Sequence, residues 1–432
     1  MATEVKIGKF TLESLTTGMY ADSRVIYREY IQNATDAIDE AVKKGLIKKE
    51  ENRIDVNVNR KNRSISIKDN GTGIQAADAV NYLVDIGDSV KHHQESRGFR
   101  GIGRLGGTSY CDRLIFRTSA ANEDVGTQIV WDCSKLRELL KPGEYEDYDL
   151  QKVVSEVVTT QSYSEIKESH YFEVVLEGVS ENFKNLLDVK EISNYLAETA
   201  PVPFNHQKFI YASEIVDKLK ENGKEHEEYN IFINDDPNPI FKAYKTWFKV
   251  KNTKDYIKEL EFFHESDSEG NLMFLGWIAQ TNWLGQIDKS DQMIRGIRVR
   301  KKNILIGNER TLDKLFSESR FNIWCIGEIY VFSNVIPNAR RDDFEENEQY
   351  WQLEEKLVPI IRSIQKYPRE FSKRRNEMKT VDKAKVEVEK IESEIMEGIT
   401  SGAKKKELFN KVDTLIKKVK KTVRKTKTKL PV

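Results

Sequence analysis

The chain has 432 residues, with 70 Lys or Arg set against 70 Asp or Glu, so its formal net charge is zero. That balance excludes a molecule drawn as a whole to nucleic acid or to an anionic membrane by its charge. A hydrophobic content of 38% supports true cores, and at roughly 100–200 residues per domain the length predicts two to four of them.

In chain order, Ser23 to Lys43 reads as a long amphipathic helix, with Ile26, Tyr30, Ala34, Ala37, Ile38 and Ala41 on its apolar side. Arg53 to Asn59 and Ser64 to Lys68 alternate polar and apolar side chains, as a hairpin does. A helix is predicted over Ala76 to Ile86, then a polar, glycine-rich stretch from Gly87 to Gly107, then strands at Arg113 to Thr118 and Thr127 to Trp131. Residues 136–190 are acidic and mixed, with a β-rich run at His170 to Leu176. A second α+β region has strand patterns at Thr246 to Val250, Leu272 to Ile278, Gly296 to Arg300 and Ile326 to Phe332. Pro201, Pro203, Pro237 and Pro239 mark its loops. Trp277 and Trp283 are expected in its core. From Glu346 onward the pattern is helical: Trp351 to Phe371, Met378 to Ile399 and Lys404 to Val423. In the last of these, Leu408, Val412, Leu415 and Val419 follow a coiled-coil seam spacing.

Three features of composition complete the picture. Cys111, Cys133 and Cys325 stand singly, without the spacing of a metal site or a disulfide framework. The N-terminus lacks an apolar signal core, and no run approaches the ~20 apolar residues of a membrane span. A cytoplasmic chain with no membrane contact is therefore expected. Charge is uneven, however: Ser401 to Val432 holds 11 Lys and 1 Arg against 1 Glu and 1 Asp, a net of +10, which leaves −10 for residues 1–400.

Three elements carry chemistry. In Glu29-Tyr-Ile-Gln-Asn33-Ala-Thr-Asp36-Ala, positions i, i+4 and i+7 put a carboxylate, an amide and a second carboxylate on one helical face, opposite the apolar one. Semi-buried polar groups need partners. Magnesium phosphate is one: an amide oxygen ligates a hard cation, and a carboxylate one turn earlier can orient and polarise an attacking water. A solvated stripe on a surface helix would show the same spacing. In Ile67-Lys-Asp69-Asn-Gly71-Thr-Gly73, a carboxylate followed by two glycines allows close backbone approach to a ligand, and Asp69 can accept from an exocyclic amine such as that of adenine. An ordinary Asp-Asn-Gly turn is the alternative. In Arg97-Gly98-Phe-Arg-Gly101-Ile-Gly103-Arg-Leu-Gly106-Gly107, free backbone N–H groups ahead of a helical Thr108 to Cys111 would cradle phosphate. Gly101 to Gly106 also matches G-x-G-x-x-G. But the loop follows a polar run rather than a buried strand, which argues against a dinucleotide fold.

Taken in this order, the three motifs resemble those of the GHKL ATPases: type II topoisomerase ATPase domains, heat-shock protein 90 chaperones, histidine kinases, and the MutL and MORC proteins. Met19 to Asp39 is similar to the first long helix of the heat-shock protein 90 family nearly residue for residue, and Gly98-Phe-Arg-Gly101-Ile-Gly103 to its lid hinge. The resemblance implies an α+β chain opening with a Bergerat-type sandwich, a mixed sheet covered by helices, that binds and hydrolyses ATP with Mg2+. It implies that Glu29 activates water. Asn33 binds magnesium and phosphate, with Asp36 beside it. Asp69 reads adenine, with Gly71 and Gly73 beside the base. Gly98, Gly101 and Gly103 wrap the phosphates, Ser89 starts a lid, and Thr127 supports adenine through water. Arg-Leu-Gly-Gly stands where the chaperones carry an aromatic pair.

The region after the ATPase resembles the family's transducer or middle domain at Gly296-Ile-Arg-Val-Arg-Lys-Lys-Asn-Ile-Leu-Ile and at Val335-Ile-Pro337-Asn338-Ala-Arg340-Arg341-Asp-Asp-Phe344. It implies that Arg341 or Arg340 reaches the terminal phosphate, although both would equally pair with Asp342, Asp343 and Glu345 as a surface cluster. The expected domains are 1–190 for ATP binding, 191–345 transducer-like, and 346–432 charged, helical and basic at its end. Two functions follow: an ATP-gated homodimeric clamp acting on a protein client, or a MORC/MutL-like ATPase that contacts nucleic acid through residues 404–429. A nucleotide-sensing switch that barely turns over is a third, non-enzymatic possibility.

Overall fold

The structure, a computed structural model, describes residues 8–11, 22–85, 103–396 and 401–427. Helix α1 (Val25–Lys43) lies against a seven-stranded sheet. The strands are β1 (Ile54–Asn59), β2 (Ser64–Asp69), β3 (Arg113–Ser119), β4 (Val125–Asp132), β5 (Val158–Ser164), β6 (Tyr171–Glu177) and β7 (Ile231–Ile233), in the order β5-β4-β3-β6-β2-β1-β7. All pairs are antiparallel except β1 with β7. The helices are α2 (Ala76–Val84), α3 (Cys133–Leu139), α4 (Leu150–Val157) and α5 (Val189–Thr199). Asp132, Asp149 and Asp188 cap α3, α4 and α5, each accepting from a backbone N–H three residues on, a contact whose removal typically costs ~1 kcal/mol. Alternation along β2 turns Ile65, Ile67 and Asp69 to the buried face, where Ile26, Tyr30, Ala34 and Ile38 of α1 join them in one core.

The mixed α/β architecture with terminal helices follows the fold class expected. Four local expectations change. Val158–Ser164 is a strand: it is an edge, mostly exposed, so its polar sequence carries no apolar alternation. The helical turn expected at Thr108 to Cys111 is instead a 3₁₀ turn over Gly103–Ser109. Gly106 and Gly107 disfavour a regular helix, and a Cβ on Gly107 would lie 2.5 Å from the Tyr30 hydroxyl. The 190/191 division falls inside α5, whose Ile192 and Leu196 join the first core along with residues as far on as Ile240, because β7 completes the first sheet. Finally, α7 (Glu348–Ile364) ends before Lys366, where α8 (Lys366–Met396) begins. Pro368 sits in the first turn of α8, where no backbone N–H is needed.

The second sheet is made from β10 (Glu259–Ser266), β11 (Leu272–Gln280), β12 (Gly296–Lys301), β13 (Ile304–Ile306) and β14 (Ile326–Val331), in the order β10-β11-β14-β12-β13. β8 (Trp247–Val250) and β9 (Thr253–Tyr256) form a separate ribbon. One face of the sheet packs Phe274, Ile297 and Ile329 on Leu353, Leu357 and Ile361 of α7. The other packs Leu275, Trp277 and Tyr330 on α6 (Ala212–Glu221). Trp277 and Trp283 are both buried, as the sequence predicts. α8 and α9 (Gly402–Lys427) pack together, with Ala384, Ile391 and Leu408 buried.

The face towards α6 also carries charge. Glu328 accepts from Lys242 at 2.8 Å and from Arg300 and Tyr330, all fully or nearly fully buried. Next to them, Arg298 donates to Glu198 Oε1 at 2.8 Å, and Arg300 to the Glu198 carbonyl at 3.0 Å. These bonds fasten the C-terminal turn of α5, where the helix dipole favours cations, to the second sheet. Burial pushes the Glu328 carboxyl up, but the Arg300 and Lys242 charges outweigh it and hold the pKa at about 2, from an ordinary 4.5. A depressed native pKa contributes stability above the ordinary value that is lost as pH falls through the native one. Glu328→Gln, which strands two buried cations, should cost about 3–5 kcal/mol in urea unfolding at neutral pH. The gap from wild type should narrow as pH drops from 4.5 towards 2. A loss under about 1 kcal/mol would show that the cations find other partners.

Candidate functional site

The site is built on α1. Glu29 is 7% exposed, and Asn33 and Asp36 are half-buried, so the three-residue face is not turned to bulk solvent. At one end of this face, a Cβ placed on Gly103 would lie 2.6 Å from Glu29 Oε2. At the other end, a Cβ on Gly71 would lie 2.6 Å from that of Ala37. From Glu29 to Ala37 the helix rises about 12 Å at ~1.5 Å per residue, and a glycine segment closes on α1 at each end.

The Asp69 turn is equally close-packed. Asp69 Oδ1 accepts from Gly71 N at 2.8 Å, Thr72 N donates to the Ala37 carbonyl at 3.2 Å, and His170 Nδ1 lies 2.7 Å from the Gly71 carbonyl. Gly73 has φ +62°, and a Cβ there would lie 1.8 Å from the Ser119 carbonyl oxygen. Register then places Thr127. Asp69 pairs with Phe172, Phe172 with Thr118, and Thr118 with Thr127, one row across β2, β6, β3 and β4. Directly opposed residues share a face, so Asp69 and Thr127 both point towards the helical layer, about 14 Å apart at ~4.8 Å per strand. Thr118 Oγ1 accepts from Ile74 N at 2.8 Å and donates to the Tyr171 carbonyl at 3.0 Å.

The second domain reaches the same helix. Arg341 Nε donates to Glu29 Oε1 at 3.0 Å, with both side chains nearly buried. Arg340 is exposed and contributes its carbonyl, which accepts from Arg28 Nη2 at 3.1 Å. The backbone turns sharply here: Arg341 has φ +56°, its carbonyl accepts from Gly307 N at 2.8 Å, and its N–H donates to the Asn338 carbonyl at 3.0 Å. Of the two arginines, only Arg341 brings its side chain to Glu29. Ser89, Gly98 and Gly101 lie outside the described residues, as does most of the Gly87 to Gly107 stretch. Its exit is anchored: Tyr30 Oη accepts from Gly107 N at 3.0 Å and donates to the Arg104 carbonyl at 3.1 Å, and Arg104 donates to the Asp85 carbonyl. Sequence patterning assigns no role at the site to Arg28, Tyr30, Arg104 or His170. Arg28 and Tyr30 adjoin Glu29, but nothing in a linear pattern marks the other two.

A helix carrying a carboxylate and an amide over a mixed sheet, an aspartate on the facing strand and glycines without room for Cβ form the arrangement that the sequence motifs predict. Residues 22–164 match the family described as "Histidine kinase-, DNA gyrase B-, and HSP90-like ATPase". Curated relatives are chaperone proteins HtpG. That of Buchnera aphidicola subsp. Schizaphis graminum is 24% identical over 286 residues, 58% of this chain and 42% of its own length. Those of Acinetobacter baylyi and Halalkalibacterium halodurans are 22% and 23% identical over 273 residues each, covering 58% and 60% of this chain and 39% and 40% of their own lengths. The chain thus spans well under half the length of these relatives. No helix among the described residues is long and apolar enough to cross a membrane.

Gly73 and Gly45 both have positive φ, but nothing lies within 4 Å of a Cβ on Gly45. Gly45→Ala should therefore cost only the left-handed strain, about 1–2 kcal/mol. Gly73→Ala should cost clearly more and lower thermal stability further. Equal losses in paired melting curves would show that the Ser119 strand yields freely.

Proposed function

We propose that this chain is a magnesium-dependent ATPase of the heat-shock protein 90-like kind, working as an ATP-gated homodimeric clamp on a protein client. The observation that carries the reading is the buried Glu29 carboxylate, held between Gly103 and Arg341 on a face that leads to Asp69.

In this reading Asp69 accepts from the adenine amine, with Gly71 and Gly73 against the base and Thr127 supporting it through water. Asn33 supplies an amide oxygen to Mg2+, with Asp36 beside it. A single protein ligand suits magnesium, which takes the rest of its shell from phosphate and water. Ser89, Gly98, Gly101 and Gly103 belong to the segment that closes over the phosphates. Glu29 orients the attacking water and takes its proton as the terminal phosphate leaves ADP. Arg341 exchanges its bond to Glu29 for the terminal phosphate, which frees the carboxylate and stabilises charge developing in the transition state. Because Arg341 is on the second domain, that exchange ties hydrolysis to domain position.

The alternative, a nucleic-acid-associated ATPase, draws on the excess of lysine in α9 and the residues after it, 404–429. Non-specific contacts of that kind weaken steeply with salt.

Asp69→Asn should abolish ATP binding measured by calorimetry. Glu29→Ala should keep binding and lose about 10²–10⁴-fold in turnover. Unchanged nucleotide affinity in Asp69→Asn would sink the pocket assignment. Arg341→Ala should lose roughly 10³-fold in turnover, whereas Arg340→Ala should stay within a few-fold of wild type. Mass measured with a non-hydrolysable ATP analogue should be that of a dimer, and DNA should leave turnover unchanged. Salt-sensitive stimulation by DNA, lost on truncation after Thr400, would favour the alternative.

A further inference from the structure

On the flank of α1 beside the Glu29 face lies a cavity of about 740 Å³ between the two domains, separate from the Asp69 turn. Its wall includes Gln32, His226, Lys301, Lys302, Asn303 and Arg341. The volume falls in the range of small-molecule sites, ~300–1,000 Å³.

Its polar groups are incompletely used. Gln32 is 1% exposed, and neither its amide oxygen nor its amide nitrogen has a hydrogen-bond partner. His226 is bonded to Glu228 through Nδ1 at 3.0 Å, but its buried Nε2 has no partner. Asn303 donates from Nδ2 to the Glu227 carbonyl at 2.6 Å and leaves Oδ1 unmatched. Buried polar atoms without partners each cost about 1–3 kcal/mol, so three such residues on one cavity call for an occupant. A glutamine left with both amide groups idle is costlier than an apolar residue of its shape would be.

Charge narrows the occupant. Lys224, Lys301, Lys302 and Arg341 line the cavity with Glu225 and Glu227; Glu225 is already paired with Lys49 and Arg341 with Glu29, which leaves three lysines against one carboxylate. Lys301 is held by the Ser333 carbonyl at 2.7 Å. Burial, then repulsion from Lys302, lowers its pKa to about 8, so an anion beside it would relieve the penalty. The remaining wall is apolar, with Ile304, Val335 and Pro337 among its residues.

We propose that this cavity is a second ligand site, taking a small organic anion: a carboxylate or phosphate headgroup for the lysines, and an apolar body hydrogen-bonded at its polar edge by Gln32 and Asn303. The site does not depend on the assignment of the nucleotide pocket, since its residues, Arg341 apart, are not those of the Asp69–Glu29 face.

Calorimetry on the full chain tests this with phenyl phosphate and benzoate as probes and benzyl alcohol as the neutral control. A saturating non-hydrolysable ATP analogue is present throughout, so that any phosphate site on the nucleotide face is blocked. At least one anion should bind saturably with one site per chain, and benzyl alcohol should not. The tighter of the two anions identifies the headgroup. Lys301→Met, which keeps the apolar stem, should weaken binding at least tenfold, as should Gln32→Leu. If either variant unfolds, Lys302→Met replaces it. No saturable binding of either anion to wild type at millimolar concentration overturns the proposal, as does affinity unchanged in the variants. Failure of ATP to bind in a separate titration would count against the proposed function and leave this result standing.

Discussion

The ion pair between Glu29 and Arg341 is the contact on which the arrangement depends. Two nearly buried charges 312 positions apart in sequence meet at 3.0 Å. Each would be expensive to bury alone. Glu29 is tolerable inside the molecule because the second domain delivers Arg341 to it at 3.0 Å, with Arg28 of the same helix at 3.9 Å, and Arg341 is tolerable because α1 delivers a carboxylate. Docking of the two domains and burial of the candidate catalytic base are therefore linked. The Arg28 bond to the Arg340 carbonyl continues the same seam.

A second junction holds that geometry in place. Arg298 and Arg300 rise from β12 on the face opposite α7 and bind the end of α5, while Glu328 and Lys242 complete a charged layer within an otherwise apolar core. Such a layer is satisfied only in one relative position of α5 and the second sheet. The Arg341 turn is fixed to β13's neighbour Gly307, so displacement of the sheet would be felt at Glu29. The cavity beside Gln32 lies along the same seam, and Arg341 borders both.

Much of this was legible in the linear pattern for identifiable reasons. β1 and β2 are buried on one face, so hydrophobic period and burial coincide there. The Asp69 turn declared itself because its glycines are required by contact: Gly73 has no room for Cβ against Ser119. β5 was hidden because an exposed edge strand has no apolar face to reveal. The break between α7 and α8 was displaced because Pro368 is harmless in a first helical turn. The arginine pair could not be separated in sequence, since adjacent residues of one type differ only in where the backbone turns. Here the positive φ at Arg341 turns its side chain to Glu29 and leaves only the carbonyl of Arg340 at the seam.

The sequence by itself determined the local chemistry: a helix that must present Glu29, Asn33 and Asp36 together, a carboxylate ahead of two indispensable glycines, and strands whose alternation sorts Asp69 to the buried side. These are properties of 3.6- and 2-residue periods and of side-chain volume, which act over a few neighbours. Tertiary structure alone decided which arginine meets Glu29, that β7 closes the first sheet from beyond residue 230, that Arg298 and Arg300 are buried rather than solvated, and that Gln32 faces a cavity. Each of those depends on contacts between segments far apart in the chain, where the balance of desolvation against pairing is settled only once both surfaces have come together.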